Sequence, residues 1–303
     1  MKAAQFSRFG GPEVLETVDL PDPHPAAGEI RIGVRAAGMN VSDGKKRQGM
    51  MDQELPQTLG YEAAGIVDET GDGVTGVQLG DAVFGFCAAG AAQAELAVLT
   101  TWCPVPAALD FAHAAALPST VETAARALDQ LGVTARDTVL INGASGSIGS
   151  AAVQFAVCRG ARVIGVGSPP THEYLRLLGA EPVAYGPGMP ERVRAAAPAG
   201  VDLALDVAGN GVLPELIDLA GGAAHVLTIA DFPGAQDNGV RFSRGDSGRA
   251  EYALELAARL VEAGKFTLTV GATFPLNEIA EAHRVAESGT VRGKIVLLPV
   301  GPT

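Results

Sequence analysis

The chain has 303 residues, of which 47% are hydrophobic, and its formal net charge is −12 at pH 7. This length suits one large domain or two linked domains, and the apolar share is ample for packed cores. The negative charge argues against nucleic acid and anionic membranes as partners, since both repel an acidic protein, and it favours a small neutral substrate.

The first third of the chain predicts short β-strands separated by Gly and Pro, a pattern typical of a barrel-like all-β domain. A polar helix over 41–48 interrupts these strands. After Pro118, an Ala-rich helix over 120–131 leads into the next part of the chain. The predicted strands are 2–9, 14–18, 29–36, 62–69, 81–86 and 94–99.

Residues 137–168 predict a βαβ unit that holds a dinucleotide. A strand over 138–141 is followed by a turn with three glycines and then by apolar residues at helical spacing. Glycine lets the backbone approach a pyrophosphate, and the helix start offers N–H groups and a positive dipole end. Ala144 stands where the commoner fingerprint has its first glycine, so an ordinary strand-turn-helix is the alternative. The expected cofactor contacts are Ala144, Ser145, Gly146, Ser147, Ile148 and Gly149.

The second strand of this unit, 162–167, ends at Ser168, where NAD-specific folds usually place an acidic residue that holds the ribose 2′-OH. A hydroxyl can donate to a 2′-phosphate, whereas Asp or Glu would repel it. This position therefore favours NADPH over NADH. The three residues after Ser168 bring no positive charge, and His172 is the nearest candidate for contact with the phosphate. The alternative for His172 is a solvated residue in the first turn of a helix.

After Ser168, helices and strands alternate, which predicts a parallel sheet with helices on both faces. The last of these strands, 223–229, should leave an exposed edge, and 231–248 should be a long loop. The predicted helices are 171–178, 191–197, 213–219, 247–264 and 277–288, and the predicted strands are 182–185, 203–207, 223–229, 268–274 and 295–300.

The cysteines are Cys87, Cys103 and Cys158, which lie far apart and form no C-x-x-C pair. This spacing predicts neither a disulfide framework nor a structural zinc lobe, and a reducing cytoplasm is the simplest location. No N-terminal signal is apparent, and no apolar run reaches the roughly eighteen residues that a membrane span needs.

Taken together, a set of motifs along nearly the whole chain resembles the medium-chain dehydrogenase/reductase superfamily and, within it, the zinc-free quinone oxidoreductase group. The resemblance implies an α/β fold class with a Rossmann doubly wound parallel sheet and a β-rich GroES-like catalytic domain, the nicotinamide lying between them. It also implies that 1–121 and 265–303 form the catalytic domain and 122–264 the NADPH-binding domain. The motifs are 37–43 (AGMNVSD), 59–65 (LGYEAAG), 80–84 (GDAVF), 115–118 (AALP), 143–149, 206–209 (DVAG), 282–283 and 293–296 (GKIV).

The same resemblance bears on the metal. Zinc-dependent relatives carry a cysteine where this chain has Asn40 and a histidine where it has Tyr61. Neither Asn nor neutral Tyr is a good Zn²⁺ ligand, although Glu62 remains, so no catalytic zinc is expected. Without a Lewis acid, reduction of a polarised double bond is favoured over alcohol oxidation. The implied activity is NADPH-driven reduction of a quinone, enone or enoyl substrate.

Four residues are candidates for catalysis. The resemblance implies that Asn40 lies beside the nicotinamide ribose and donates to a developing oxyanion, and the alternative is an Asn that starts a helix, with Asp43 as its first-turn acid. Lys45 stands where many quinone oxidoreductases carry a tyrosine, and it is either a proton donor or a solvated lysine. Tyr61 either donates through its phenol or is a core aromatic residue.

The resemblance also implies cofactor contacts outside the glycine turn. Thr123 opens the helix under the cofactor, Phe242 and Ser243 lie in a segment that closes over the nicotinamide, and Lys294 faces the cofactor. The alternatives are a helix-start residue for Thr123, a mobile surface loop for Phe242 and Ser243, and a solvated strand start for Lys294. The full set of expected contacts outside the turn is Asn40, Thr123, Ser168, His172, Tyr185, Val207, Phe242, Ser243 and Lys294.

Two other functions stay open at this point. One is an enoyl or enone reductase that acts on a biosynthetic intermediate, and the other is a non-catalytic NADPH-binding protein with a structural or redox-sensing role. A homodimer is expected, because relatives pair exposed sheet edges across a two-fold axis.

Overall fold

The computed structural model describes residues 1–51, 53–87, 90–245 and 248–299. The chain divides into two compact units, which are Met1–Ser119 with Glu251–Thr303, and Thr120–Ala250. The domain limits that the resemblance implies stay a prediction. The compact units differ from those limits at the helix after residue 250, which belongs to the first unit.

The part of the chain before the second unit is rich in strands. A 3₁₀ turn, Pro12–Val14, lies between the first two strands, and Pro118–Leu131 (α3) begins just before the second unit. The helices that precede it are Val41–Arg47 (α1) and Phe111–Ala115 (α2). The strands are Lys2–Phe6 (β1), Glu16–Asp19 (β2), Ile30–Gly38 (β3), Gln57–Thr58 (β4), Glu62–Thr70 (β5), Ala82–Phe86 (β6), Leu96–Leu99 (β7) and Thr101–Pro104 (β8).

The second unit alternates strands and helices, as the sequence predicts. Its strands are Thr138–Asn142 (β9), Arg162–Gly167 (β10), Glu181–Ala184 (β11), Leu203–Asp206 (β12), Val226–Thr228 (β13) and Arg241–Phe242 (β14). Its helices after α3 are Ser147–Cys158 (α4), His172–Leu177 (α5), Met189–Ala196 (α6), Leu213–Ala220 (α7) and Phe232–Asn238 (α8). Short 3₁₀ turns, Pro169–Thr171 and Ala223–His225, precede α5 and β13.

The six strands of the second unit form one sheet in the order β11-β10-β9-β12-β13-β14. Every described pair in this sheet is parallel, so the parallel sheet predicted from the alternation of elements is confirmed. The strand order reverses at β9, whose neighbours are β10 and β12. Ligands of open α/β sheets bind at such a switch point, outside the carboxyl ends of the strands.

The prediction of a long loop over 231–248 is wrong. The structure has α8 and β14 in this segment, and residues 246 and 247 lie outside the described part of the chain. Asp231 starts α8 by accepting a hydrogen bond from the Gly234 N–H at 2.9 Å, and a proline lies in the first turn. Both features are helix-start signals that the Gly-rich composition obscured.

The predicted exposed edge is wrong for the same reason. β14 pairs with β13 through Leu227 and Thr228, so the segment predicted as the last strand lies inside the sheet. Its first three residues, Ala223–His225, form a 3₁₀ turn rather than a strand. The homodimer itself stays a prediction.

The C-terminal part of the chain completes the first unit. Its elements are Ala253–Glu262 (α9), Val270–Pro275 (β15), a 3₁₀ turn Leu276–Glu278, Ile279–Ser288 (α10) and Lys294–Leu298 (β16). The helix predicted from 247 begins at Ala253, and Ser247 lies outside the described residues, as does Val300 at the end of the predicted last strand.

The first unit has two sheets, and the larger one joins its two chain segments. One sheet has the order β2-β1-β4, and the other has the order β15-β16-β3-β5-β6-β8, with β7 also paired to β3. The expected first-third strands are present with shifted ends, whereas β4 and β8 were not predicted. Phe6, Leu59, Ile279 and Leu297 share one buried cluster, so packing as well as pairing holds the C-terminal segment in this unit.

The apolar cores follow the strand periodicity. In β3 the residues Ile30, Ile32 and Val34 alternate with more exposed positions and are fully buried, as period-two patterning requires. In the second unit, buried residues of β9 and β10 pack with Val193 of α6 and Leu216 of α7. Within the described residues, no helix combines the length and apolarity that a bilayer crossing needs.

Gly149 tests how tightly α4 approaches the turn before it. A Cβ at Gly149 would lie 2.2 Å from the Gly143 carbonyl oxygen and 2.8 Å from the Ala144 Cα, and both are backbone atoms that cannot move aside cheaply. We expect Gly149→Ala to lower the free energy of unfolding by about 2 kcal/mol or more in urea denaturation.

The control for this prediction is Gly44→Ala, which changes a glycine inside α1. Its Cβ would meet its nearest atom at 3.8 Å, and alanine favours the helix. We expect this variant to match or exceed the wild-type stability. Equal stability of the two variants would contradict the close approach at Gly149.

Candidate functional site

The turn between β9 and α4 is shaped for close backbone approach. Gly143 has φ +78°, and a Cβ there would lie 2.8 Å from the Ala208 Cβ and 3.0 Å from Val207 Cγ2. The Ala144 N–H donates to the Val166 carbonyl at 3.0 Å, which fixes the turn on β10. Ala144 is fully buried, so its methyl group packs beneath the turn and does not obstruct the outer face.

The residues after Ala144 form the accessible face of the turn. Gly146 is exposed, and Ser145, Ser147 and Ile148 are half-buried. The α-helix that starts at Ser147 has 12 residues, and the first N–H groups of a helix have no intrahelical partner. Gly143 and Gly149 let the turn pack closely against the chain around it. An accessible turn with unpaired helix N–H groups fits the pyrophosphate of a dinucleotide.

The end of β10 carries hydroxyls and one histidine. The Thr171 hydroxyl donates to the Ser168 carbonyl at 2.8 Å, which folds the segment after Ser168 into a tight turn. Ser168 and His172 are both half-buried. The His172 Nε2 atom is buried and has no hydrogen-bond partner among the described residues. A polar atom of this kind fits a site that a further polar group completes.

A buried polar network ties three strand ends of the second unit together. Asp206 Oδ1 accepts from the Asn142 side chain at 2.8 Å, and Asp206 Oδ2 accepts from the Thr228 hydroxyl at 2.7 Å. The N–H groups of Ala208 and Gly209 donate to the same carboxylate at 3.1 and 2.9 Å. The network fixes the loop beside Gly143. Sequence reasoning assigned it no role, although Asp206 opens the 206–209 motif.

Thr123 and Ser243 are linked through a second buried pair. Arg126 Nε donates to Glu122 Oε1 at 2.7 Å, and both side chains are buried. Arg126 also donates to the Ser243 hydroxyl, and the Thr123 hydroxyl donates to Glu122 Oε2 at 3.2 Å. The Arg126–Glu122 ion pair therefore fixes the hydroxyl groups of Thr123 and Ser243 through hydrogen bonds.

The remaining candidates of the second unit are less constrained. Tyr185 is 64% exposed, and Val207 lies beside Gly143. Phe242 is half-buried and meets the Phe232 ring edge-on, with 5.2 Å between the ring centroids. Their assignment to the cofactor stays a prediction.

In the first unit, three polar side chains form a buried cluster. Asn40 lies just before α1, Glu62 starts β5, and Lys294 starts β16. Lys294 Nζ is 2.7 Å from Glu62 Oε1, and neither side chain is exposed by more than 6%. The Ser119 N–H donates to the other carboxylate oxygen at 2.6 Å. Donors therefore surround this carboxylate, as a buried charge requires.

Both ends of the Asn40 amide are engaged by this pair. Asn40 Nδ2 donates to Glu62 Oε1 at 2.9 Å, and Asn40 Oδ1 accepts from Lys294 Nζ at 2.7 Å. An amide has two N–H donors, and the second has no acceptor among the residues described. One N–H of Asn40 therefore remains for a ligand.

Asp43 is a second buried carboxyl next to this cluster. It accepts from the Asn40 N–H at 2.8 Å and from Gln93 Nε2 at 3.2 Å, while its Oδ1 atom has no partner within the described residues. Burial raises the pKa of Asp43 to about 6, and the nearby Glu62 charge adds to this, whereas Lys294 opposes it. Asp43 is thus a helix-start acid that lies beside Asn40, and its role in catalysis stays a prediction.

Tyr61 and Lys45 differ in their exposure to solvent. Tyr61 is half-buried, and Lys46 Nζ lies 4.9 Å from its ring centroid, which is within cation–π range. Lys45 is exposed on α1. The structure thus brings Asn40, Asp43 and Lys294 together, whereas Lys45 is in solvent. Its suggested role in proton donation stays a prediction without support from burial.

The described parts of the chain contain no group of three or more His, Cys, Asp or Glu side chains placed to hold a metal ion. Within the described residues, Cys87, Cys103 and Cys158 form no disulfide bond. The Glu62 carboxylate, the remaining candidate ligand, is paired with Lys294.

Comparisons with known proteins give a consistent result. Residues 26–113 match the alcohol dehydrogenase GroES-like domain, and residues 178–297 match the zinc-binding dehydrogenase family. Quinone oxidoreductase of Rattus norvegicus is 30% identical, over 98% of this chain and 98% of that protein. The spectinabilin polyketide synthase system protein NorB of Streptomyces orinoci is 33% identical, over 95% of this chain and 14% of that protein.

Among solved structures, Escherichia coli quinone oxidoreductase complexed with NADPH superimposes with a TM-score of 0.87. Its sequence is 25% identical, and the match covers 99% of this chain and 100% of that chain. With the GroES-like match, this similarity confirms the expected fold class of a Rossmann sheet plus a GroES-like domain.

Asp43 gives a pH-dependent prediction. Its pKa rises from 3.8 when unfolded to about 6 when folded. The folded state therefore binds more protons between these values, and stability falls as the pH rises through this window. The shift corresponds to about 3 kcal/mol. In wild type we expect the free energy of unfolding to fall between about pH 4 and pH 7. In Asp43→Asn we expect this fall to be absent.

The control is Asp72→Asn, which neutralises an exposed carboxylate of the same unit. We expect it to keep the wild-type pH dependence. If urea denaturation gave the same pH profile for wild type and Asp43→Asn, the burial cost assigned to Asp43 would be wrong.

Proposed function

Because the chain belongs to the quinone oxidoreductase group of the medium-chain dehydrogenase/reductase superfamily, we propose that it is a zinc-independent, NADPH-dependent reductase. Its substrates are quinones or other compounds with electron-poor C=C or C=O bonds. The observation that carries this proposal is the Asn40 amide, whose two partners leave one N–H for a substrate oxygen. The glycine turn of the second unit supplies the other requirement, a site for a dinucleotide.

The cofactor supplies the hydride when it is bound. The turn residues Ser145–Gly149 would hold its pyrophosphate, and Ser168 would contact its ribose 2′-phosphate. Quinone oxidoreductase of Escherichia coli, whose structure was solved with NADPH, supports a nicotinamide cofactor for this chain.

Asn40 stabilises the charge that develops on the substrate oxygen during reduction. A preorganised N–H donor in a site with little water is worth more than the same donor in solvent. Asn40 is only partly buried, while its partners Glu62 and Lys294 are fully enclosed. The Asn40 amide can thus reach a substrate while its hydrogen bonds to Glu62 and Lys294 hold the side chain in place.

The charge balance of the cluster supports zinc independence. A buried carboxylate needs a compensating cation, and here the Lys294 ammonium provides it for Glu62 at 2.7 Å. Asn40 and Tyr61, which replace the cysteine and histidine of zinc-dependent relatives, are poor Zn²⁺ ligands.

Ser168 tests the preference for NADPH. A carboxylate at this position would repel a 2′-phosphate and accept a hydrogen bond from a free 2′-OH. We expect Ser168→Asp to shift the ratio of NADPH to NADH affinity by at least tenfold towards NADH, about 1.4 kcal/mol, in fluorescence titrations of both cofactors. Ser168→Ala is the control, because it removes the hydroxyl without adding charge. An unchanged ratio in Ser168→Asp would place the 2′-phosphate elsewhere.

Asn40 tests the reductase activity. We expect the wild-type protein to oxidise NADPH, followed at the nicotinamide absorbance, with 1,4-benzoquinone or cyclohex-2-enone as acceptor. Asn40→Ala should lower kcat/KM for the active acceptor at least tenfold, about 1.4 kcal/mol, because one oxyanion donor is lost. NADPH should still bind, and a fluorescence titration of NADPH separates any loss of cofactor affinity from the loss of turnover.

Asn277→Ala, which alters an exposed asparagine of the same unit, is the matched control and should keep wild-type turnover. Unchanged kinetics in Asn40→Ala would remove Asn40 from the mechanism. NADPH binding without turnover on any acceptor would favour the non-catalytic alternative.

One observation favours an enone or enoyl reductase as the second candidate. The similarity to NorB, a polyketide synthase system protein, covers 95% of this chain. A preference for cyclohex-2-enone over 1,4-benzoquinone would support this candidate. The homodimer and the cytoplasmic location stay predictions.

A further inference from the structure

Asn40 is held between two strands that flank β3 on opposite sides. β16 and β5 are the neighbours of β3 in the sheet, and Asn40 follows two residues after the end of β3. Lys294 comes from β16 and Glu62 from β5. The Met39 N–H also donates to the Ile295 carbonyl at 3.0 Å, so the backbone before Asn40 is fixed to β16.

The two partners together select one orientation of the Asn40 carboxamide. Rotating the amide by half a turn would put its oxygen against the Glu62 carboxylate and its NH₂ group against the Lys294 ammonium. Acceptor would then face acceptor and donor would face donor, in a site where both partners are buried. Only the observed orientation satisfies both contacts.

Glu62 itself has little freedom to move. A Cβ at Gly38 would lie 2.4 Å from Glu62 Oε1, so the carboxylate lies directly over the β3 backbone. The Ser119 N–H binds the other carboxylate oxygen at 2.6 Å. The pair that orients Asn40 is therefore anchored to the sheet on one side and to the first turn of α3 on the other.

From this arrangement we propose that Lys294 and Glu62 are positioning residues, which lock the Asn40 amide so that its second N–H faces the substrate oxygen. This assigns Lys294 a role through Asn40 rather than through the cofactor. The inference rests on the proposed reductase function, and its tests include a measurement on the cofactor-free protein.

The first test is a double-mutant cycle on turnover of NADPH and 1,4-benzoquinone. We expect Lys294→Met to lower kcat about tenfold with little change in KM, because an orientation needed in the transition state is lost. In an Asn40→Ala background the same change should add less than about a twofold loss, since Lys294 acts through Asn40. Equal losses in both backgrounds would overturn the proposal.

Removing Lys294 alone leaves the Glu62 charge buried and could unfold the protein. The double variant Glu62→Gln with Lys294→Met removes both charges and keeps the volume of the site. We expect it to unfold at a temperature near that of wild type and still to show the reduced kcat. Lys265→Met, which removes an exposed positive charge from the same unit, is the control and should match wild type. A folded double variant with wild-type kcat would contradict the proposal.

The second test is NMR of the cofactor-free protein labelled with ¹⁵N-asparagine. The chain has five asparagines, so the side-chain NH₂ signals of Asn40 can be assigned by their loss in Asn40→Ala. We expect two well-separated, slowly exchanging protons in wild type and faster exchange with solvent in the double variant. Identical signals in both proteins would overturn the positioning role even if turnover changed. If wild type reduced no acceptor, the proposed function would fail, while this measurement would still decide the orientation of Asn40.

Discussion

The burial of the Glu62 carboxylate is the constraint on which the first unit depends. An ionised carboxyl loses its hydration on burial, at a cost of several kcal/mol, and must be compensated by charge and hydrogen bonds. Lys294, the Asn40 amide and the Ser119 N–H provide that compensation from three separate parts of the chain. The Glu62 carboxylate adds to the effect of burial in raising the pKa of the neighbouring Asp43. The same contacts that stabilise Glu62 also leave Asn40 oriented, with one donor to spare.

The structure of the second unit depends on close backbone packing rather than on a buried charge. Gly143 and Gly149 permit contacts that any Cβ would block, so α4 begins directly above the end of β9. The Asp206 network then fixes the neighbouring strand ends at the switch point of the sheet. In the proposed function, these features would bind an anion, whereas the cluster around Glu62 would hold the Asn40 donor in place. The proposed reductase needs both.

Local patterns predicted the second unit well. The βαβ unit and the strand β10 were recognisable because period-two strands, turn glycines and helical spacing all lie within about thirty residues. The sequence also singled out Asn40, Asp43 and Lys294, through their resemblance to family motifs. It could not predict that Lys294 binds Glu62 and Asn40, because sheet pairing alone brings β16 beside β3. The prediction of a loop over 231–248 was wrong because the glycine content of this segment outweighed the Asp and Pro that start α8. Asp206 was missed because its partners lie on two other strands.

In the proposed reductase, the Lys294 ammonium, and no metal, balances the buried Glu62 carboxylate. The most direct test is turnover of NADPH with the active acceptor by protein treated with a chelator, its bound zinc being measured by elemental analysis on the same sample. We expect full turnover with zinc far below one atom per chain. Activity that disappears with the zinc and returns when zinc is added back would contradict it.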